Sequence, residues 1–358
     1  MSTFEVGYRS DSPRAAVATR FWMASPLVSA MLYPFALEGF NLSVTRIAQR
    51  SGGTVALPWF GAVVCLALAF AVPLLAALVA MSLAKIDRLT VAQLRAKRAA
   101  LLAVAAPTLF VFVGVVLTML RNPVPDTWLW VVGWAIGLVL VLRPDNNVPA
   151  KLAVRPVPAA LRVAHGVSAL AIVLIFLALH LINHLMFPTG PGTYEAVQKV
   201  FRHVYRSNIL QPLLVALILF QVSTGLFFVW RLTAAPSDRF RTFQIVSGVY
   251  LAVYVLGHMN SVFIFARTYL GIDTGWNFAT GDPAGLIKDP WNIRLLPHYW
   301  LAVFFVLSHL ASGARVIMTA HRVSNAFADR FLVAGAVAAG FVATWIMLGM
   351  SGMRIQFV

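Results

Sequence analysis

Cysteine is nearly absent from this chain of 358 residues, which contains only Cys65. One thiol cannot close an internal disulfide, cannot supply the thiolates of an iron–sulfur cluster, and cannot form the C-x-x-C-H motif that attaches haem covalently. Acidic residues are scarce as well, with 12 Asp and Glu against 28 Lys and Arg. The composition therefore excludes a disulfide-stabilised scaffold and an iron–sulfur protein, and we identify no set of catalytic residues.

The chain is instead rich in apolar residues, which make up 60% of it, while charged residues make up only 11%. A soluble protein of this size could not bury so much apolar surface. Runs of about 20 apolar residues have the length that crosses the hydrocarbon core of a bilayer. The sequence therefore predicts an all-α, polytopic membrane bundle of about nine transmembrane helices. The nine runs are 21–45, 57–84, 98–120, 127–142, 160–187, 207–231, 243–269, 296–320 and 330–350.

The net charge of +16 is distributed unevenly between alternate loops. When the N-terminus is placed inside, most Lys and Arg residues fall in inner segments, as the positive-inside rule requires. Nine spans then place the C-terminus outside. We expect an integral protein of a bacterial inner (cytoplasmic) membrane. Its basic loops, above all the cluster from Lys85 to Arg98, would contact anionic membrane lipid and not nucleic acid.

A polar, basic and proline-rich stretch at 143–162 interrupts the apolar pattern. Such a composition is typical of a loop, and here it predicts a linker on the inner face. We therefore divide the chain into a four-helix membrane region, 1–150, of unassigned role, and a five-helix membrane domain, 151–358. All eight histidines lie between His165 and His321, so histidine chemistry is confined to the second region.

Three histidines, His180, His258 and His309, lie in the interior of separate apolar runs. Ionisable side chains are costly inside a membrane and are usually kept for a function. At 1.5 Å of rise per residue, His180 lies roughly 9 Å and His258 roughly 3 Å outside the bilayer midplane. Two imidazoles from facing helices at similar depth can ligate one iron. We therefore predict His180 and His258 as metal ligands of a haem, which must be non-covalent haem b.

Other readings of the histidines stay open. Each intramembrane histidine could instead be a hydrogen-bonded residue of a polar bundle, and zinc would need three or four clustered ligands. His184, one turn beyond His180, could be a ligand in a shifted register or a partner of a haem propionate. The remaining four are expected to be ordinary solvated histidines at the interfaces, namely His165, His203, His298 and His321.

Three motifs suggest a known family. Span five has a histidine at its inner end and another 15 residues later, His165 and His180. Span seven begins F-Q-I-V-S-G and contains His258, and span eight contains S-H-L-A-S-G around His309. In these features residues 160–350 resemble the five-helix, dihaem cytochrome b subunit of succinate dehydrogenases and fumarate reductases. The resemblance covers a little over half of the chain and implies that His180 and His258 share one haem.

The chain departs from that family in span six. The resemblance aligns Gln221 with a haem ligand that the family pairs with the counterpart of His309. Because an amide is a poor haem ligand, a second haem is absent, five-coordinate on His309, or replaced by a hydrogen bond between His309 and Gln221. Arg206 and Arg267, near the outer ends of spans five to seven, are candidate partners of haem propionates or ordinary helix-end arginines.

The resemblance implies a function in electron transfer. It implies that the chain binds haem b, exchanges electrons with quinone, and anchors soluble flavoprotein and iron–sulfur subunits at the inner face. The chain would then be no complete enzyme, and at most a non-catalytic electron-transfer or anchor subunit of an oxidoreductase complex. The alternatives are a non-redox membrane scaffold or lipid-associated adaptor on the same helical frame, or a small-molecule transporter.

Overall fold

A computed structural model describes residues 13–49, 56–144, 149–150 and 156–355. Within these ranges the secondary structure is helical, apart from an isolated β-bridge between Thr90 and Pro149. Seven helices are long and apolar enough to cross a membrane, and a bent pair would make eight. The chain is therefore an integral membrane helical bundle, as expected, while the count of nine spans and their orientation stay predictions.

The first region contains five helices. The third predicted span is broken at Ala105 into two helices that meet at 68°. Pro107 causes this break, because its ring lacks an N–H donor and disfavours helical backbone in the residue before it. The fourth predicted span is an apolar helix of 17 residues. The helices are α1 (Pro13–Gln49), α2 (Ala56–Ala84), α3 (Val91–Val104), α4 (Ala106–Met119) and α5 (Asp126–Leu142).

The second region contains nine α-helices and two π-helical segments. One π segment, Val173–Leu177, joins α6 to α7, and the other, Asn260–Leu270, extends α10. The helices are α6 (Ala159–Ile172), α7 (Ala178–Leu185), α8 (Pro191–Tyr205), α9 (Leu210–Leu232), α10 (Arg239–Met259), α11 (Trp276–Thr280), α12 (Gly285–Lys288), α13 (Leu295–Ala320) and α14 (Asn325–Met350).

The two regions share one hydrophobic core, in which α2, α3 and α4 pack against α10, and α4 also packs against α13. Two basic residues of α3 add polar links. Lys97 is buried and donates to the carbonyl of Ala235, and the guanidinium of Arg98 lies 3.6 Å from the ring centroid of Trp230. Lys97 is thus directed into the protein rather than toward lipid. The predicted linker falls largely outside the described residues.

One end of the bundle carries a cap built from α8, α11 and α12. The segment before span six forms a full amphipathic helix, α8, of 15 residues. Its Tyr194 stacks on Phe187 at 4.4 Å between ring centroids, and Trp276 of α11 contacts both rings. Trp276 is therefore buried within the cap. The cap covers the ends of α7 and α13, where several histidines lie.

Candidate functional site

Two histidines from separate helices face each other beneath the cap. The ring centroids of His180 on α7 and His258 on α10 are 6.1 Å apart, and their planes are inclined at 64°. The ring of His184 lies 4.3 Å from that of His180, and its Nδ1 is 2.8 Å from the His180 carbonyl oxygen. Because a carbonyl only accepts, His184 Nδ1 carries the proton and its Nε2 keeps a lone pair.

A fourth histidine joins this group. His298, at the start of α13, is only 3% exposed, so the expectation of a solvated interface residue is wrong. The cause is the segment 271–294, which folds back over the end of α13 as part of the cap. Tyr254 connects His298 to the pair, because its ring stacks on His258 at 5.4 Å and lies 4.8 Å from His298.

Both helices of the pair carry π-helical segments next to the histidines. One ends at Leu177, three residues before His180, and the other begins at Asn260, two residues after His258. A π turn takes in an additional residue, which rotates the side chains that follow, and such turns are frequent at functional sites. A placement of the histidines from the sequence assumes a regular α-helix throughout, so it does not include this rotation.

The geometry fits two imidazoles on one metal better than a closed metal cage. Within the described ranges, no three His, Cys, Asp or Glu side chains come close enough to hold an ion together. With metal–nitrogen bonds of about 2 Å, two imidazoles on opposite sides of one metal have centroids about 6 Å apart. The observed 6.1 Å agrees with that separation.

Unsatisfied polar atoms also lie on the helices that carry these histidines. Three buried atoms have no hydrogen-bond partner among the described residues: Asn183 Oδ1, Asn260 Nδ2 and His298 Nδ1. A buried polar atom left without a partner costs about 1–3 kcal/mol. Asn183 precedes His184 directly, and Asn260 follows His258 by two residues.

Arginines converge on the cap side of the pair. Arg202 of α8 bonds to both carboxylate oxygens of Asp273 at 3.0 Å and is close enough to His180 for their charges to interact. Arg206 is 3.8 Å from the same carboxylate, and Arg267 donates to Gln211 at 3.2 Å. Burial, together with the charges of Arg202 and Arg267, lowers the pKa of Arg206.

Sequence reasoning selected Arg206 and Arg267 but missed Arg202, the arginine whose charge reaches His180. One signal was present in the sequence, since Arg202 and Arg206 are four residues apart and therefore lie on the same helical face. Asp273, which pairs with both arginines, comes from the loop before α11 and follows only from tertiary structure.

A second polar group lies nearer the opposite end of the bundle. His309 Nδ1 is 2.8 Å from Ser247 Oγ, and Gln221 Oε1 accepts a hydrogen bond of 2.9 Å from Ser168. Gln221 Oε1 and His309 Nδ1 thus have separate partners among the described residues.

Helix hydroxyls set the orientation of this second group. The Ser247 hydroxyl donates to the carbonyl of Phe243, and the Thr224 hydroxyl donates to that of Phe220. Each hydroxyl has one proton, so it accepts from the histidine Nδ1 beside it, which is His309 for Ser247 and His165 for Thr224. Both imidazoles therefore present Nε2 as an acceptor. His165 is half-buried, which corrects the expectation of a solvated residue.

The two remaining histidines behave as expected. His203 on α8 and His321 after α13 are both exposed.

Searches of protein-family models, curated sequences and solved structures with this chain gave no match. The resemblance to the cytochrome b subunits therefore rests on the sequence motifs alone.

Proposed function

We propose that this protein is a haem b-binding membrane subunit for electron transfer, in which His180 and His258 would hold the haem iron. One observation carries the proposal: the 6.1 Å between the two imidazole centroids, which agrees with two ligands on one iron. The two histidines come from separate helices, as a haem held between helices requires. A bound haem supplies a one-electron redox centre whose potential depends on its axial ligands and surroundings.

His184 supports this site in one of two ways. Its Nδ1–H donates to the His180 carbonyl, which is the arrangement that fixes the ring of many metal-ligating histidines. In the primary assignment His184 packs beside His180 and orients it. If the register of α7 shifts by one turn, His184 Nε2 takes the ligand position in its place, and the experiment below separates the two.

The arginines Arg202, Arg206 and Arg267 suit the carboxylates of haem propionates. Guanidinium groups form strong, charge-assisted hydrogen bonds with carboxylates. Arg202 and Arg206 share one carboxylate, that of Asp273. The three arginines therefore leave a net positive charge on the cap side of the histidine pair. The aromatic cap of Phe187, Tyr194 and Trp276 would exclude water from the same side.

The remaining parts of the proposal rest on the family resemblance. By that resemblance the electron partner is quinone, and soluble flavoprotein and iron–sulfur subunits bind to the basic inner loops of a bacterial cytoplasmic membrane protein. The chain would act as a non-catalytic subunit of an oxidoreductase complex. The role of residues 1–150 is then to support the haem-binding helices, since α2, α3 and α4 contact α10.

The test is a visible spectrum of the protein, expressed with haem available, purified in detergent, and recorded oxidised and dithionite-reduced. A low-spin Soret band and a sharp reduced α band are expected. His180→Ala and His258→Ala should each abolish the low-spin signal. His203→Ala is the matched control, because His203 is exposed on α8 and should leave the spectrum unchanged.

The outcomes separate the assignments. Loss of the signal in His184→Ala with retention in His180→Ala transfers the ligand role to His184. A colourless wild-type protein overturns the redox proposal and leaves the scaffold or transporter. Retention of the full signal in His258→Ala overturns the pairing.

A further inference from the structure

A small polar cavity of about 180 Å³ lies between the first turns of α10 and the last turns of α13. This is the end of the bundle opposite the aromatic cap. The cavity is independent of the histidine pair and takes no part in the proposed electron transfer. Its lining is formed by Phe240, Gln244, Ser312 and Val316, by the two arginines Arg241 and Arg315, and by one carboxylate, Asp238.

Two guanidinium groups dominate the chemistry of this cavity. Arg241 donates through Nη1 to Gln244 at 2.9 Å, and Arg315 donates through Nε to Asp329 at 2.7 Å. Among the described residues, neither Nη1 nor Nη2 of Arg315 donates to an acceptor, and neither does Nη2 of Arg241. An arginine has five N–H donors, so both residues keep donors for a ligand.

The nearby carboxylates are already committed to other groups. Asp238 caps α10 by accepting from the backbone N–H of Arg241 at 2.7 Å, and Asp329 accepts from Arg315. The Arg315 guanidinium also lies 4.2 Å from the ring centroid of Phe240, which holds it against the cavity wall. The cavity therefore presents two guanidinium groups with free donors, beside one carboxylate, Asp238, whose Oδ1 is engaged by the α10 backbone. Paired guanidinium groups with free N–H donors suit a phosphate group.

The surroundings indicate where the phosphate comes from. Val316, at the cavity, is 39% exposed, and the next residue, Ile317, is 61% exposed. These side chains belong to a membrane-crossing helix, so their exposed surface faces lipid. An acyl chain can lie along this surface while its headgroup enters the cavity at the end of the helices. Basic pockets between transmembrane helices are known to bind anionic headgroups.

We propose that the cavity between α10 and α13 binds the phosphate of an anionic phospholipid, with Arg241 and Arg315 as its donors. The lipid lies with its headgroup in the cavity and its chains against Val316 and Ile317. This assignment extends the general expectation of lipid contact to a defined site. It also differs from the predicted basic cluster at 85–98, of which Lys97 is buried.

The experiment uses the full chain in nanodiscs of phosphatidylcholine mixed with phosphatidylglycerol. Native mass spectrometry counts the phosphatidylglycerol that stays bound after release into detergent. The wild type should retain one such lipid, and Arg241→Gln should weaken its binding about five-fold. Arg330→Gln is the matched control, because Arg330 is exposed on α14 at the same end of the bundle and does not line the cavity.

Two further arms identify the source of the phosphate and guard against misfolding. Inorganic phosphate added to the protein in neutral detergent should neither displace the lipid nor raise the melting temperature; if it does both, the ligand is a free anion and the lipid assignment fails. Arg315→Gln removes the partner of Asp329 and can destabilise the fold. If Arg315→Gln unfolds, the test relies on Arg241→Gln alone. Equal lipid retention in Arg241→Gln and Arg330→Gln overturns the proposal.

Discussion

Ser168 Oγ donates a hydrogen bond of 2.9 Å to Gln221 Oε1 and thereby ties α6 to α9. The amide oxygen is therefore engaged away from His309, whose Nδ1 lies 2.8 Å from Ser247 on α10. The resemblance aligns Gln221 with a haem ligand, but here its side chain makes a polar contact between two helices of the chain. The two residues that the family would join across one haem belong here to separate hydrogen-bonded pairs.

We expect Gln221→Ala to leave the haem spectrum unchanged and to lower the free energy of unfolding by about 1 kcal/mol, the usual value of one hydrogen bond. His309→Ala should also keep the low-spin signal that we assign to His180 and His258. Haem content per chain and thermal unfolding in detergent check both variants. If haem falls to half in Gln221→Ala, a second haem bound at Gln221 and His309 is present after all.

The close approach of α10 to α4 positions His258. A methyl group on Gly257 would lie 3.1 Å from Phe112 Cβ and 3.3 Å from its Cγ. Gly257→Ala should therefore displace α10 beside the histidine, broaden the low-spin spectrum, and destabilise the protein by about 1 kcal/mol through overpacking.

Gly166→Ala is the matched control for this variant, because no atom lies within 4 Å of a methyl group there. Alanine is the better helix former by about 0.5–1 kcal/mol, so the control should be neutral or slightly stabilised. Thermal unfolding and the oxidised spectrum are measured for both variants. Equal spectra would show that Phe112 does not position α10 at His258.

The ion pair between Arg294 and Asp126 joins α5 to the start of α13. Its atoms are 2.6 Å apart, both side chains are largely buried, and the guanidinium lies 4.4 Å from the ring centroid of Phe110. Asp126→Asn leaves a buried arginine without its counter-ion, so we expect a loss of about 3 kcal/mol in unfolding free energy.

Differential scanning fluorimetry in detergent measures this loss as a drop in melting temperature. Asp87→Asn serves as the control, since Asp87 is exposed in the loop after α2 and should change the melting temperature little. A drop in Asp126→Asn no larger than in Asp87→Asn would mean that the pair contributes no stability.

Asp273 gives the cap a dependence on acid pH. Burial raises the pKa of this carboxyl, but the hydrogen bond and charge of Arg202, the Thr274 backbone N–H and the charge of Arg206 outweigh it, so the pKa lies below its ordinary value of 3.8. A depressed pKa contributes stability that is complete above the ordinary value and is lost as pH falls through the lowered one.

We therefore expect the wild type to be more stable than Asp273→Asn near neutral pH, and the difference to disappear on acidification below 3.8. The carboxylate is largely exposed, so the difference is small. Melting temperatures of both proteins across an acid series provide the measurement. A difference that persists unchanged in acid would show that the carboxylate charge is not its source.

Sequence alone was enough to predict the helical membrane bundle, because long apolar runs such as 57–84 and 330–350 have no stable alternative in water or lipid. It also selected His180 and His258, which the structure brings within 6.1 Å, since a histidine inside an apolar run is conspicuous. These features depend on composition and local spacing, and both can be read directly from the amino-acid sequence.

Only tertiary structure decided the partners of those residues. His298 is buried because the segment 271–294 folds back over the start of α13. Arg202 lies near His180 because α8 lies across the end of the bundle. The π-helical segments beside His180 and His258 shift the side chains that an α-helical count would place elsewhere. Such relationships arise when separate segments pack together, and packing between distant segments leaves no periodic signal in the chain.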